Sequence, residues 1–192
     1  ANKKFINIAR PGNILNIDYM GDIFKHFKPL DQVAVHNNRS RFYIGVTNVE
    51  NAQPEYLEVS HAENNDIIKL IQASSSVPGL SQPIDVEGVV YGDGITTCKN
   101  PIGFAIETLG CTDILYVTNQ PLRKKETISY NEKIMSKVAT RNYSDNIKRA
   151  YLDRHTMSDE TASKTYSPDV RIGVLCPPKI PFGRLTKNYA KM

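Results

Sequence analysis

The chain contains several short stretches in which hydrophobic residues alternate with polar or small ones, which is the period of a β-strand. Residues 42–49 and 56–59 show this pattern on either side of a turn, so they predict a hairpin. Residues 113–118 and 170–175 are apolar runs of the length expected for strands buried in a parallel sheet. Because helical segments separate these strands, the pattern predicts an α/β domain with helix layers around one mainly parallel sheet.

The clearest series of local signals begins with a helix whose apolar face covers residues 67–71, which predicts burial in the core. Asn64 or Asn65 can cap this helix, and Asp66 suits its positive end. The helix is expected to end before Pro78, because the residue before a proline avoids the α-helical region.

A hairpin and a further helix follow. Residues 84–86 and 89–91 flank Glu87-Gly88, a pair suited to a tight turn. Asp93-Gly94 comes directly after the second of these strands, and Asn100-Pro101 supplies the cap and the first-position proline of the next helix. The sequence therefore predicts an acid on a turn, between the end of a strand and the start of a helix.

Residues 129–164 show the helical period and predict two helices that cover a face of the sheet. The first carries Ile134 and Val138 on its apolar side. Ser144 can cap the second, which carries Ile147.

Composition places the chain among globular domains. At 192 residues it has the length of one domain, and its 40% hydrophobic and 23% charged residues lack the charge excess of disordered chains. No run reaches the roughly 18 to 20 apolar residues of a membrane span, and no N-terminal signal is visible. The three cysteines form no C-x-x-C pair, so a reduced, cytoplasmic chain is the simplest interpretation.

The net charge of +4 is unevenly distributed. Residues 1–120 hold 9 basic and 13 acidic residues, a net of −4, whereas residues 121–192 hold 15 and 7, a net of +8. Such asymmetry can indicate an anionic partner, either a phospholipid surface or nucleic acid, and a phospholipid surface would make the protein peripherally membrane-associated. Mixed charges on solvated helices explain the same counts, so both interpretations stay open.

Several classes of chemistry lack their motifs. The four histidines show no metal-ligand spacing, and no P-C-x-x-C follows His61-Ala62-Glu63 to complete a zinc deaminase site. There is no G-x-x-x-x-G-K and no G-x-G-x-x-G, so nucleotide binding has no support. The tyrosines near basic residues are at helical spacing, which argues against a nucleic-acid stacking surface. No cofactor, metal or nucleic acid is therefore predicted.

Asp93 is the one residue whose setting suggests chemistry. An Asp-Gly pair commonly serves only its own turn, by accepting hydrogen bonds from nearby backbone. The alternative is a reactive carboxylate. In that case Gly92 and Gly94 would leave it approachable in an open groove, with its oxygens free or bound to water.

The order of these segments carries a resemblance. Ala73-Ser74-Ser75-Ser76-Val77-Pro78, a strand, Tyr91-Gly92-Asp93-Gly94 and then Asn100-Pro101 together resemble the second half of a patatin-like phospholipase domain, and the likeness extends over about residues 16–183. The resemblance implies a single three-layer α/β/α domain over residues 1–192, with Asp93 as the base of a Ser/Asp dyad. Site-supporting roles would fall to Gly94, Ser74, Ser75, Pro78 and Asn100.

Two departures from the family pattern change what is expected. Ile95 stands where the family usually has a second glycine. No G-x-S-x-G elbow or glycine-rich oxyanion loop occurs, and Ser81, in the nearest approximation, follows a helix and not a strand. The chain is therefore expected to be a fragment, incomplete at the N-terminus, that lacks the nucleophile and is inactive alone.

For the parent protein, the resemblance implies hydrolysis of lipid acyl esters through an acyl-serine, without a metal or cofactor. The alternative function is a non-catalytic patatin-like remnant, or a module that binds anionic membranes.

Overall fold

The computed structural model describes residues 5–6, 13–60, 66–98, 100–118, 130–153 and 166–177. They form a mixed α/β structure with one antiparallel sheet of four strands and one parallel sheet of two. The chain divides into two compact units, Ala1–Lys99 with Thr127–Ser158, and Asn100–Glu126 with Asp159–Met192. The single domain predicted over residues 1–192 stays a prediction.

The sheet of the first unit consists of four strands in the spatial order β2-β1-β4-β3, and every neighbouring pair is antiparallel. The strands are β1 (Tyr43–Asn48), β2 (Pro54–Glu58), β3 (Ile84–Val86) and β4 (Val89–Asp93). The predicted hairpin between residues 42–49 and 56–59 is confirmed as β1 and β2. The predicted hairpin around Glu87-Gly88 is also confirmed, since both turn residues have positive φ, +55° and +85°.

Three helices near the N-terminus accompany this sheet: α1 (Ile17–Asp22), which continues as a π-helical turn over Ile23–Phe27, α2 (Gln32–His36) and α3 (Ile67–Ser74). The N-cap of α3 is Asp66, whose side chain accepts hydrogen bonds from the backbone N–H groups of Ile68 and Lys69. Asn64 and Asn65, the predicted caps, lie outside the described residues.

The core of the first unit lies between α3 and the sheet. The buried apolar side chains are Ile44, Val46, Val59, Ile67, Leu70, Ala73, Val86 and Tyr91. The apolar face predicted for residues 67–71 is thus confirmed as core, and β1, β3 and β4 are the strands that it packs against.

Two later helices also belong to the first unit: α5 (Tyr130–Ala139) and α6 (residues 145–153). Ser144 caps α6 as predicted, because its hydroxyl accepts a hydrogen bond from the Ile147 N–H, and Ile147 is buried. The predicted helix with Ile134 and Val138 is confirmed as α5, but the prediction that these residues cover the sheet is wrong, because both are exposed. The remainder of the predicted helical segment, residues 154–164, lies outside the described residues.

The second unit contains α4 (Pro101–Glu107) and the strands β5 (Asp113–Val117) and β6 (Arg171–Leu175), which pair in parallel. Asn100 caps α4 as predicted, with Pro101 in the first turn. Arg171 and Asp113 form an exposed ion pair at 2.6 Å across the two strands.

The prediction of one mainly parallel sheet is wrong. β1 and β4 are antiparallel neighbours in the first unit, whereas β5 and β6 form a separate parallel pair in the second. The burial predicted for residues 113–118 and 170–175 is wrong as well, because β6 is exposed along its whole length and Leu115 and Val117 of β5 are exposed. An apolar run carries no information on strand direction, and it is buried only where another element covers the strand.

Candidate active site around Asp93

Asp93 is the last residue of β4, and a 3-10 turn over Gly94–Thr96 follows it. Its backbone N–H donates to the carbonyl oxygen of Ser76 at 3.2 Å, just beyond α3. Its carbonyl oxygen accepts a hydrogen bond from the Thr47 hydroxyl at 2.7 Å, from β1. Two different segments of the first unit therefore fix the Asp93 backbone, independently of its carboxylate.

The two oxygens of the Asp93 carboxylate differ in their contacts. Oδ1 accepts a hydrogen bond from the backbone N–H of Ile95 at 2.8 Å. Oδ2 has no hydrogen-bond partner among the described residues. The prediction that both oxygens are free of their own turn is therefore wrong for Oδ1. The N–H belongs to Ile95, the residue that stands where the patatin-like family usually has a second glycine.

The half-buried position of Asp93 changes its acidity. Burial raises the pKa of Asp93 from its ordinary value near 3.8 to about 6, while the hydrogen bond from the Ile95 N–H acts in the opposite direction. A carboxylate with this pKa is mostly ionised at pH 7 yet accepts a proton far more readily than an ordinary aspartate. The pKa of Asp93 is therefore in the range that suits a general base.

Gly94 serves close packing, contrary to the expectation that it opens the site. It is buried, and a Cβ added there would collide with the carbonyl oxygen of Gly45 in β1. Gly92 is different, because a Cβ there would meet Val49 Cγ2 at 3.6 Å and the Ser76 carbonyl oxygen at 3.9 Å, both ordinary contact distances. Of the two glycines beside Asp93, only Gly94 is required by the space around it.

The Gly45 carbonyl also connects Ser74 to this region. The Ser74 hydroxyl donates a hydrogen bond to it at 2.7 Å, so Ser74 and Gly94 both contact the same peptide group. Ser75 is half-buried at the end of α3, and its backbone N–H bonds to the carbonyls of Ile71 and Gln72. Ser74 thus supports the Asp93 turn through β1, while Ser75 only ends the helix.

Two other predicted supporting residues have structural positions. Pro78 is buried directly after α3, where it forms an isolated bridge with Ser81. Asn100 lies in the second unit, where its Oδ1 accepts hydrogen bonds from the Gly103 N–H at 2.7 Å and from the Tyr166 hydroxyl at 3.3 Å. The side chain of Asn100 is therefore engaged in helix capping.

No described serine is placed as a nucleophile. Ser81 is 2% exposed, and its hydroxyl points to the Val77 carbonyl in its own turn at 3.4 Å. The Ser76 hydroxyl donates to Gln72 within α3. In the described segments, no serine hydroxyl contacts the Asp93 carboxylate.

The sequence pattern did not indicate the threonine hydroxyls that lie near the Asp93 backbone. The Thr47 hydroxyl lies 2.8 Å from that of Thr97 as well as bonding the Asp93 carbonyl. Thr96 is 1% exposed, and its hydroxyl has no hydrogen-bond partner among the described residues. The signal available was a threonine in an otherwise apolar strand, which indicates a buried hydroxyl that needs a partner.

Cys98 lies close to this group without being reactive. Its thiol donates to the Val46 carbonyl at 3.1 Å, and burial raises the pKa of the Cys98 thiol to about 11. Because the thiolate is the nucleophilic form, Cys98 is a packing residue at neutral pH.

The described residues contain neither a metal cluster nor a membrane-spanning helix. They bring together no group of three histidine, cysteine, aspartate or glutamate side chains that could hold a metal ion. No helix among them is both long and apolar enough to cross a membrane.

No protein-family model matches the chain, and no curated protein matches it. The patatin-like resemblance therefore stays a prediction that depends on the residues quoted for it.

Proposed function

We propose that this chain supplies the general base of a serine acyl hydrolase that acts on lipid esters. The observation that carries the proposal is the Asp93 carboxylate, at the end of a core strand, with a pKa near 6 and Oδ2 unpartnered among the described residues. A structural aspartate gains nothing from such burial, since desolvation disfavours its charged form. A three-layer α/β/α arrangement over about residues 16–183 is part of the same proposal, with the antiparallel four-stranded sheet of the first unit in place of a mainly parallel one.

In the proposed mechanism, Asp93 Oδ2 accepts the hydroxyl proton of a serine as the serine oxygen attacks the ester carbonyl. The Ile95 N–H keeps Oδ1 in place and so orients Oδ2. Collapse of the tetrahedral intermediate releases the alcohol, which takes the proton from Asp93. A water molecule then repeats the sequence on the acyl-serine and releases the fatty acid. Among the described residues no serine hydroxyl contacts the Asp93 carboxylate, so the proposal does not assign the nucleophile to any of them.

One observation favours the non-catalytic alternative. The bond from the Ile95 N–H to Asp93 Oδ1 is the contact that a turn aspartate makes with its own backbone. In this alternative the chain is a remnant or a membrane-binding module, and replacement of Asp93 affects only the turn.

The test uses a longer product of the same gene that carries a G-x-S-x-G elbow. We expect Asp93→Asn in that protein to lower the turnover of a nitrophenyl ester by at least ~10²-fold, because the variant keeps the shape but loses the base. The 192-residue chain alone should show no serine-dependent turnover.

Asp85→Asn is the matched control. Asp85 is exposed and accepts a hydrogen bond from the Gly88 N–H at 3.2 Å in the β3-β4 hairpin turn, a contact similar to that of Asp93. Activity should be unchanged in this variant. Near-normal turnover by the Asp93 variant, or a gene without any elbow, would contradict the proposal.

A further inference from the structure

Helix α5 buries polar residues and exposes apolar ones, the opposite of what is usual for a helix of a globular unit. Ser136 and Thr140 are buried, whereas Tyr130 is 78% and Met135 67% exposed. The buried side is tightly packed: a Cβ added at Gly79 would lie 2.6 Å from the Ala139 Cα. The orientation of α5 is therefore set by close backbone contact, and its apolar side faces away from the unit.

The exposed apolar residues form a continuous row, which we name the α5 stripe: Tyr130, Ile134, Met135 and Val138. Tyr130, Ile134 and Val138 are spaced by four residues and therefore lie one above the other on the helix. An amphipathic helix normally turns such a row towards the core. A row that the described residues of the unit leave exposed is suited to an external apolar phase.

A basic row runs beside the stripe. Lys133 and Lys137 are also spaced by four residues on α5, and each follows a stripe residue by three positions. Arg141 lies in the turn just beyond the end of the helix. Lys133, Lys137 and Arg141 are exposed. Within residues 130–141 there are three basic residues and one acidic residue, Glu132. The stripe is thus bordered by positive charge on one side.

We propose that the α5 stripe docks on an anionic phospholipid surface. Apolar side chains that enter the acyl boundary, lysines that keep their charge at the headgroups and an aromatic residue at the helix start are the features of a helix that lies in the membrane interface. The ten residues of α5 correspond to about 15 Å, which suits a helix lying in the plane. Charge complementarity selects an anionic surface over a neutral one.

The membrane proposal rests on the proposed lipid hydrolase function only for the reason why this protein would bind a lipid surface. Binding to vesicles needs neither a nucleophile nor turnover, so the two proposals can fail separately. In particular, Asp93→Asn should leave vesicle binding unchanged.

The experiment is co-sedimentation of the 192-residue chain with vesicles of phosphatidylcholine, alone or in an equimolar mixture with phosphatidylserine. We expect binding to the mixed vesicles that weakens as salt is added, and little binding to phosphatidylcholine alone. Lys133→Gln with Lys137→Gln should weaken binding to the mixed vesicles by about 25-fold, since each lysine near such a surface contributes about fivefold. Ile134→Gln with Val138→Gln should reduce binding at least as much.

The matched control combines Val33→Gln with Lys69→Gln, two exposed residues of the same unit on α2 and α3. This control should bind as the unchanged chain does. If both the lysine variant and the Ile134→Gln with Val138→Gln variant bind the mixed vesicles as well as the unchanged chain does, the proposal is overturned. It is also overturned if the unchanged chain does not bind them.

A thermal melt and a measurement of molecular mass complete the test. Because the stripe is exposed, its variants should melt within a few degrees of the unchanged chain. A large loss of stability in Ile134→Gln with Val138→Gln would mean that the stripe packs on the protein itself. A dimer that the same variant dissociates would mean that the stripe is a self-association surface. Either result would overturn the membrane proposal.

Discussion

Replacement of Asp93 by asparagine should stabilise the protein at neutral pH. The folded pKa of about 6 lies about two pH units above the ordinary aspartate value near 3.8. Each pH unit corresponds to about 1.36 kcal/mol, so keeping this carboxylate ionised in the fold costs up to ~3 kcal/mol. Asparagine carries no charge, and its oxygen can still accept the hydrogen bond from Ile95.

The sign of the pH dependence follows from the direction of the pKa change. Below about pH 4 the carboxyl is protonated in both the folded and the unfolded chain, so the two proteins should be equally stable. Between about pH 4 and 6 the unfolded chain ionises first, and the unchanged protein loses stability. Above about pH 6 the difference should level off in favour of the asparagine variant.

Urea unfolding at one-unit intervals from pH 4 to pH 8 measures this difference in the free energy of unfolding. Asp85→Asn is again the control, because its exposed carboxylate stays in water in both the folded and the unfolded chain. An Asp93 variant that is less stable than the unchanged protein at pH 7 would refute the reasoning. It would mean that the bond to the Ile95 N–H outweighs the cost of burying the charge.

Two further predictions concern the surroundings of β1. Gly94→Ala should lower the free energy of unfolding by roughly 1–3 kcal/mol, because its Cβ would collide with Gly45, whereas Gly92→Ala should cost well under that in the same urea assay. Glu58 accepts hydrogen bonds from Arg41 and Tyr43, which lower the pKa of Glu58 to about 2. Glu58→Gln should therefore reduce stability at pH 7, and the deficit should shrink as the pH falls from about 4.5 towards 2. A deficit that is constant over this range would show that the carboxylate charge is irrelevant.

Much of the local structure could be predicted from the sequence because neighbouring residues determine it. Glu87-Gly88 specifies a two-residue turn through its positive φ angles, and Asn100 caps α4 with its own side chain. Such signals act over two or three residues. They are therefore independent of how the strands are later arranged.

Strand direction and helix orientation could not be predicted in the same way. The β1-β4 pairing joins residues more than forty positions apart, and an apolar run suits either direction. The outward orientation of the apolar side of α5 depends on contact with Gly79, sixty residues earlier. A periodic pattern identifies an apolar side but not what that side meets.

The candidate site shows the same division. Asp93 could be identified from its own dipeptide and flanking segments, but Thr47 could not, since only the fold brings β1 beside the end of β4. The role of Gly94 was misassigned for the same reason. Its requirement for glycine arises from the Gly45 carbonyl, which no local pattern reveals.

The way Asp93 is held bears on its two interpretations. Its backbone is fixed by Ser76, by Thr47 and by pairing of β4 with Val46 in β1. None of these three contacts uses the carboxylate. If the carboxylate were needed only to form the turn, the other restraints would make it redundant, and its burial would be a net cost. The carboxylate thus lowers the stability of the fold, while other contacts hold its position. This is what we expect of a functional site, where a residue is kept for its chemistry and not for stability. A gain in stability together with a loss of activity in the same Asp93→Asn variant would therefore distinguish a base from a turn residue better than either measurement alone.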